Sequence, residues 1–154
     1  MRGGSRTKDR EGTRKRMSEK NFLQVTPFLS ARDVDGMVRF FVEVLGFHAW
    51  VQAWDFAYVQ REAAAVRIGK ASEGSLEKHE VGPRAFLMYI DVRDVGAVVE
   101  EVRPKLLAAG MGGGQGPVDQ RWGQREYWVP VPDGGLIVFG QEIGVAANEQ
   151  KATS

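Results

Sequence analysis

The chain has 154 residues, 43% of them hydrophobic, no cysteine and a formal net charge of +1. That composition supports one domain with a packed core and excludes disulfides, thiolate metal sites and a cysteine nucleophile. No apolar run approaches the roughly 20 residues that span a bilayer, and residues 1–20 lack the apolar stretch of a signal peptide, so a cytoplasmic protein with no membrane partner is expected.

Charge is distributed unevenly. Residues 1–20 hold eight Lys/Arg and three Asp/Glu, which leaves 13 and 17 in the remainder. The segment is rich in Gly, Ser and Thr and has almost nothing to bury, which predicts a disordered basic extension over 1–20, with Met17 as a natural start. A nucleic-acid arm would need a matching basic patch or a stacking platform in the folded part, and the pattern supplies neither, so nucleic acid is not the expected partner.

Phe22 to Ser30 reads as a strand. Asp33 is placed to cap a helix from Val34 to Leu45, with Val34, Met37, Val38, Phe41, Val44 and Leu45 on one face and Gly46 at its end. Strands are expected over Phe47–Ala53, Phe56–Arg61 and Ala64–Gly69. The polar stretch 70–83, ending in Gly82-Pro83, reads as a linker. A strand over Ala85–Asp91 follows. Asp94 then caps a helix carrying Val95, Val98, Val99, Val102 and Leu106, which Pro104 is expected to kink or restart. Gly110 to Gly116 is a glycine-rich connection. Strands over Val118–Trp122, Arg125–Val131 and Gly135–Gln141 complete the order, with Pro132-Asp133-Gly134-Gly135 as the last turn and a flexible tail over 144–154.

The order is βαβββ, linker, βαβββ, with modules over 22–70 and 84–143 of a single domain at 21–143. Arg32-Asp33-Val34 recurs 61 residues later as Arg93-Asp94-Val95, at the same junction of strand and helix. Val38 matches Val99 and Leu45 matches Leu106 at the same offset, as expected of one supersecondary unit used twice.

Thr26-Pro27-Phe28-Leu29-Ser30-Ala31-Arg32-Asp33-Val34, Leu45-Gly46-Phe47, Tyr89-Ile90-Asp91-Val92-Arg93-Asp94-Val95, Trp122-Gly123-Gln124-Arg125-Glu126-Tyr127 and Val131-Pro132-Asp133-Gly134-Gly135 make the chain resemble the glyoxalase/bleomycin-resistance/extradiol-dioxygenase (vicinal oxygen chelate) superfamily. The closest likeness is to its bleomycin-resistance branch. The resemblance implies an α+β fold in which two βαβββ modules form a curved mixed sheet around a cup, helices outside. It also implies a homodimer with ligand grooves at the subunit boundary.

In the metalloenzymes of that superfamily, ligands come from the first strand of each module and from the final strand. The corresponding positions here are Thr26, Leu87 and Val138. Leu87 and Val138 cannot coordinate a divalent ion, and their strand neighbours are equally unsuited. No metal or other cofactor is therefore expected. The competing reading is a glyoxalase- or dioxygenase-like metalloenzyme with displaced ligands such as His48, Glu62 or Glu126.

If Thr26, Leu87 and Val138 face the cup, as the resemblance implies, strand alternation puts Phe28, Tyr89, Leu136 and Gly140 there too and Ile137 and Phe139 under the helices, while the more apolar set Tyr127, Val129 and Val131 is expected to face the helices. Glu126 and Trp128 then face the cup. The candidate ligand-binding residues are Phe28, Trp54, Phe56, Tyr58, Tyr89, Trp122, Glu126 and Trp128, a set suited to a planar or cationic organic molecule. Trp50 is assigned to the core. Arg125 and Glu126 are either a surface pair or, for Glu126, a contact to a cationic ligand or an internal polar contact. The favoured function is a metal-independent protein that sequesters a small organic molecule, an antibiotic among the candidates, without transforming it.

Overall fold

The computed structural model describes residues 21–71 and 87–144. The basic extension, most of the linker with His79 and Gly82-Pro83, and the tail from residue 145 lie outside the described residues.

The first module contains β1 (Phe28–Ala31), helix α1 (Val34–Arg39) continued by a π-helical turn (Phe40–Val44), then β2 (His48–Gln52), β3 (Phe56–Arg61) and β4 (Ala64–Lys70). The second contains β5 (Leu87–Asp91), α2 (Val95–Ala108), β6 (Gln115–Asp119), β7 (Gln124–Pro130), a 3-10 turn (Pro132–Gly134) and β8 (Leu136–Glu142). Each module forms a four-stranded mixed sheet, in the orders β1-β4-β3-β2 and β5-β8-β7-β6. The fold is α+β, with the βαβββ unit used twice. No helix among the described residues is long and apolar enough to cross a membrane.

The repeated Asp caps both helices. Asp33 Oδ1 accepts from the Gly36 amide and Asp94 Oδ1 from the Ala97 amide, each at 3.0 Å. A carboxylate there satisfies an orphan N–H and favours the positive end of the helix dipole. All six residues expected on the apolar face of the first helix are buried, and Phe40 joins them. Phe40 is added because the helix widens: the Leu45 amide donates to the Phe40 carbonyl at 3.2 Å, five residues back. Phe41 packs edge-on against Phe40 and Phe47, at centroid distances of 5.9 and 5.1 Å.

Three sequence expectations need correction. The first strand covers only Phe28–Ala31, because Pro27 has no N–H with which to extend the ladder. Pro104 does not interrupt α2: it lies on the exposed side between the buried Val102 and Leu106, so packing on the other side holds the helix together. The sixth strand starts at Gln115, earlier than the glycine pattern suggests, and its register slips between Gln115 and Val118, where Pro117 withholds a donor.

One core joins the two modules. It takes Val34, Met37 and Phe41 from the first helix, Val95, Val102 and Leu106 from the second, and the inward faces of both sheets. Arg61 on β3 bonds Glu101 on α2 in bidentate fashion at 3.0 and 2.9 Å and also donates to the Leu45 carbonyl at 2.8 Å. That guanidinium holds the Glu101 carboxylate below its usual range. The Arg32 amide donates to Asp133 at 2.9 Å, a second tie between the modules.

Candidate functional site

The outward face of each sheet carries side chains at equivalent places. In the first sheet Phe28 pairs with Arg67, and Arg67 with Tyr58; in the second Tyr89 pairs with Val138, and Val138 with Trp128. One step along, Phe56 pairs with Gly69 and Glu126 with Gly140. The ring of Phe28 lies across Gly69 and the phenol of Tyr89 across Gly140, so an added Cβ would clash with the Phe28 ring at the first and with the Tyr89 hydroxyl and ring at the second. The 61-residue duplication thus reaches the side chains: an aromatic residue of the first strand covers a glycine of the last strand in each module.

What fills the matched places differs between the modules. In the first, the Arg67 guanidinium lies 5.1 Å from the centroid of Tyr58, and its Nε donates to Thr26 at 3.1 Å. In the second, the position of Arg67 is held by Val138, buried between Tyr89 and Trp128, and that of Phe56 by Glu126.

Glu126 is only 4% exposed and accepts four hydrogen bonds. Tyr89 Oη and Trp122 Nε1 donate to Oε1 at 3.2 and 3.3 Å, while Trp128 Nε1 and Gln120 Nε2 donate to Oε2 at 2.9 and 3.2 Å. Four donors on two oxygens suit an ionised carboxylate, an acceptor-only group. No Lys or Arg among the described residues forms an ion pair with it. Arg125 does not pair with Glu126, because successive strand residues point to opposite faces. It pairs with Asp119 across β6 and β7, its Nη2 at 2.9 Å from Oδ2.

The structure therefore brings Tyr89, Trp122, Glu126 and Trp128 together as one cluster. Phe28, Phe56 and Tyr58 lie on the outward face of the other sheet. Trp54 stands apart in the turn before β3, with Lys70 Nζ 5.2 Å from its ring. Trp50 is not core: it is 65% exposed on edge strand β2, where the register shifts between Ala49 and Val51, and it packs against His48 at 4.5 Å. Sequence reasoning missed Gln120 and Gln124, whose amide groups flank the cluster, and Arg67. Only the pairing register would have revealed them.

Behind the cluster, Arg103 of α2 donates to the Gly113 carbonyl at 2.9 Å and lies 5.3 Å from the ring of the buried Tyr127, whose hydroxyl donates to the same carbonyl at 2.8 Å. These bonds fix the glycine-rich connection that leads into β6 and so toward Gln120 and Trp122.

Burial of the Tyr89 hydroxyl, followed by the nearby Glu126 charge, pushes its pKa up to about 12 from 10.0. Between those values the unfolded chain loses the Tyr89 proton while the folded chain keeps it, so this residue's contribution to stability falls as pH rises through that window. Burial also raises the pKa of Tyr127, so an ultraviolet phenolate titration is expected to show late-titrating phenol absorbance that falls by one tyrosine in Tyr89→Phe; a wild-type protein whose phenols all titrate near the ordinary value would contradict the arrangement.

The positions that carry ligands in the metalloenzymes do not suit a metal. Thr26 is bonded to a guanidinium, Leu87 faces Leu136, and Val138 lies between two aromatic rings. Among the described residues no three His, Cys, Asp or Glu side chains converge on a point that could hold an ion, so His48, Glu62 and Glu126 do not form a displaced site.

No family model matches the sequence, and no curated protein matches it. Solved structures do. A bleomycin-binding protein complexed with bleomycin superposes with a TM-score of 0.59 at 20% identity, over 79% of this chain and 99% of that one. The bleomycin-binding protein from bleomycin-producing Streptomyces verticillus, complexed with copper(II)-bleomycin, is 25% identical, with a TM-score of 0.55 over 79% of this chain and 97% of that one. A glyoxalase/bleomycin resistance protein/dioxygenase from Nocardioides gives a TM-score of 0.60 at 16% identity, over 90% and 95%. The chain has the fold of these bleomycin-resistance-like proteins.

Proposed function

We propose that the protein binds a small organic molecule on the outward faces of its sheets and holds it without a metal and without transforming it. The observation that carries this reading is the cluster of Tyr89, Trp122 and Trp128 around a buried carboxylate, in a fold whose ligand positions are Thr26, Leu87 and Val138. Aromatic walls with a few fixed polar groups suit capture of an organic ligand. All four hydrogen bonds to Glu126 come from the protein itself, which leaves the carboxylate little capacity to coordinate an ion. The fold is shared with proteins that bind bleomycin, which places antibiotics among the ligands to test.

The same reading includes a homodimer. Phe28, Leu87 and Trp122 are all exposed on the single chain, and a second copy facing them would cover these outward-facing side chains. Titrating planar aromatic antibiotics, bleomycin included, into metal-free protein while following tryptophan fluorescence is expected to give saturable quenching that loses most of its amplitude in Trp122→Leu. Lack of binding across a broad panel by a sample shown to be dimeric would sink the proposal. One tightly held divalent ion per chain, with a chelator-sensitive activity, would favour the metalloenzyme instead.

A further inference from the structure

Each module has the same junction between its first strand and its helix, and the two junctions are not filled alike. Leu29, Ala31 and Met37 surround the first and are all buried. At the offset of 61 stand Ile90, Val92 and Val98, and these are only half-buried. They line a cleft of about 620 Å³ between the modules, with Arg61 and Glu62 on one side and Arg93 on the other.

Two features of the chain open this cleft. Val98 is smaller than its counterpart Met37, and Val102 is smaller than Phe41, so α2 supplies less side-chain volume than the first helix does. The turn opposite is also shorter. Pro132, Asp133 and Gly134 join the bonded residues Val131 and Gly135, whereas Glu62 and Ala63 alone join the paired Arg61 and Ala64.

The filled junction contains a carboxylate that the open one lacks. At the first, Asp133 at the tip of the longer turn sets an oxygen 2.9 Å from the Arg32 amide. At the second, Arg93 takes the place of Arg32 in the repeated Arg-Asp-Val segment. Its amide has no hydrogen-bond partner among the described residues, although the amides of Val92 and Val95 on either side are bonded. Its guanidinium forms no ion pair among the described residues, while that of Arg61 is engaged by Glu101. Asp94 is used in capping α2, just as Asp33 caps the first helix beside the carboxylate of Asp133.

We propose that this cleft is a second binding site and that it takes a small organic acid. The apolar body of the ligand lies over Ile90, Val92 and Val98, and its carboxylate accepts from the Arg93 amide and guanidinium, as Asp133 accepts from Arg32 at the first junction. Apolar walls with one convergent set of donors suit such a molecule. Asp91, where the first junction has Ser30, and Glu62 add negative charge at the rim and limit the affinity. The cleft shares no residue with the Glu126 cluster on the outward face.

Cinnamate and the uncharged cinnamamide, titrated into the full-length protein while backbone amide chemical shifts are followed, test both the place and the charge. Cinnamate is expected to shift the Ile90, Val92 and Arg93 amides saturably and to bind about tenfold more tightly than cinnamamide, the range of a charge-assisted hydrogen bond. Val98→Met, which copies the filling of the first module at a half-buried position, is expected to weaken cinnamate by about tenfold or more. Glu62→Gln is expected to strengthen cinnamate about two- to fivefold, the range of an exposed charge contact, and to leave cinnamamide unchanged. Absence of saturable shifts, shifts centred on Tyr89, Trp122 and Trp128, equal affinity for the two probes, or binding unaffected by Val98→Met would each overturn the proposal. None of these outcomes bears against a ligand held on the outward faces.

Discussion

Glu126→Ala is expected to lower stability by about 1–3 kcal/mol in urea denaturation, because it leaves half-buried donors without an acceptor while relieving part of the cost of burying a charge. Trp128 Nε1 and Gln120 Nε2 are half-buried and lose the shared acceptor oxygen Oε2. Trp122, exposed at the rim, recovers part of its loss by bonding water. The same substitution is expected to bring the late tyrosine titration back toward the ordinary value, since the Glu126 charge is one of the causes that raise it. A variant as stable as the parent, with an unmoved phenol step, would mean that the four hydrogen bonds do not persist in solution.

Phe41→Ala is expected to cost about 3–5 kcal/mol, the range for deleting a fully buried aromatic side chain whose surroundings cannot collapse. Phe41 is completely buried, held edge-on between Phe40 and Phe47, and placed in the core shared by the two helices and both sheets. Thermal or chemical denaturation measures the loss directly. A cost below about 1 kcal/mol would show that the π-helical turn repacks around the gap.

The two substitutions separate two uses of aromatic residues in one chain. Phe40, Phe41 and Phe47 lie on the helix-facing side, where they exclude water and set stability. Tyr89, Trp122 and Trp128 lie on the outward side, where their polar edges are bonded to one carboxylate and the rings of Tyr89 and Trp122 remain exposed. Trp50 and Trp54 belong to neither group. Trp50 is exposed because β2 is an edge strand, and Trp54 because it sits in a turn.

Much of this arrangement is written locally in the chain. Two Asp residues at an offset of 61 mark two helix starts, since a short carboxylate before an apolar helical face has a backbone amide to satisfy. Alternation along β7 and β8 assigns Tyr127, Val129, Ile137 and Phe139 to the core and puts Glu126 and Trp128 on the other face, because a strand has a period of two. The family resemblance puts Thr26, Leu87 and Val138 at the positions that carry metal ligands in the superfamily's metalloenzymes, and the side chains of Leu87 and Val138 cannot coordinate an ion. Tertiary structure alone decided which of the outward-facing residues meet. Tyr89 reaches Glu126 because β5 and β7 both pair with β8, and because Gly140 has no side chain in the way. Gln120 and Trp122 arrive from the connection between β6 and β7, whose path follows from a slipped register and from the hold of Arg103 on the preceding glycines. Periodicity fixes the face on which a residue lies. Convergence depends on strand order and register, which are set by long-range pairing and by the shared core, and no local pattern encodes them.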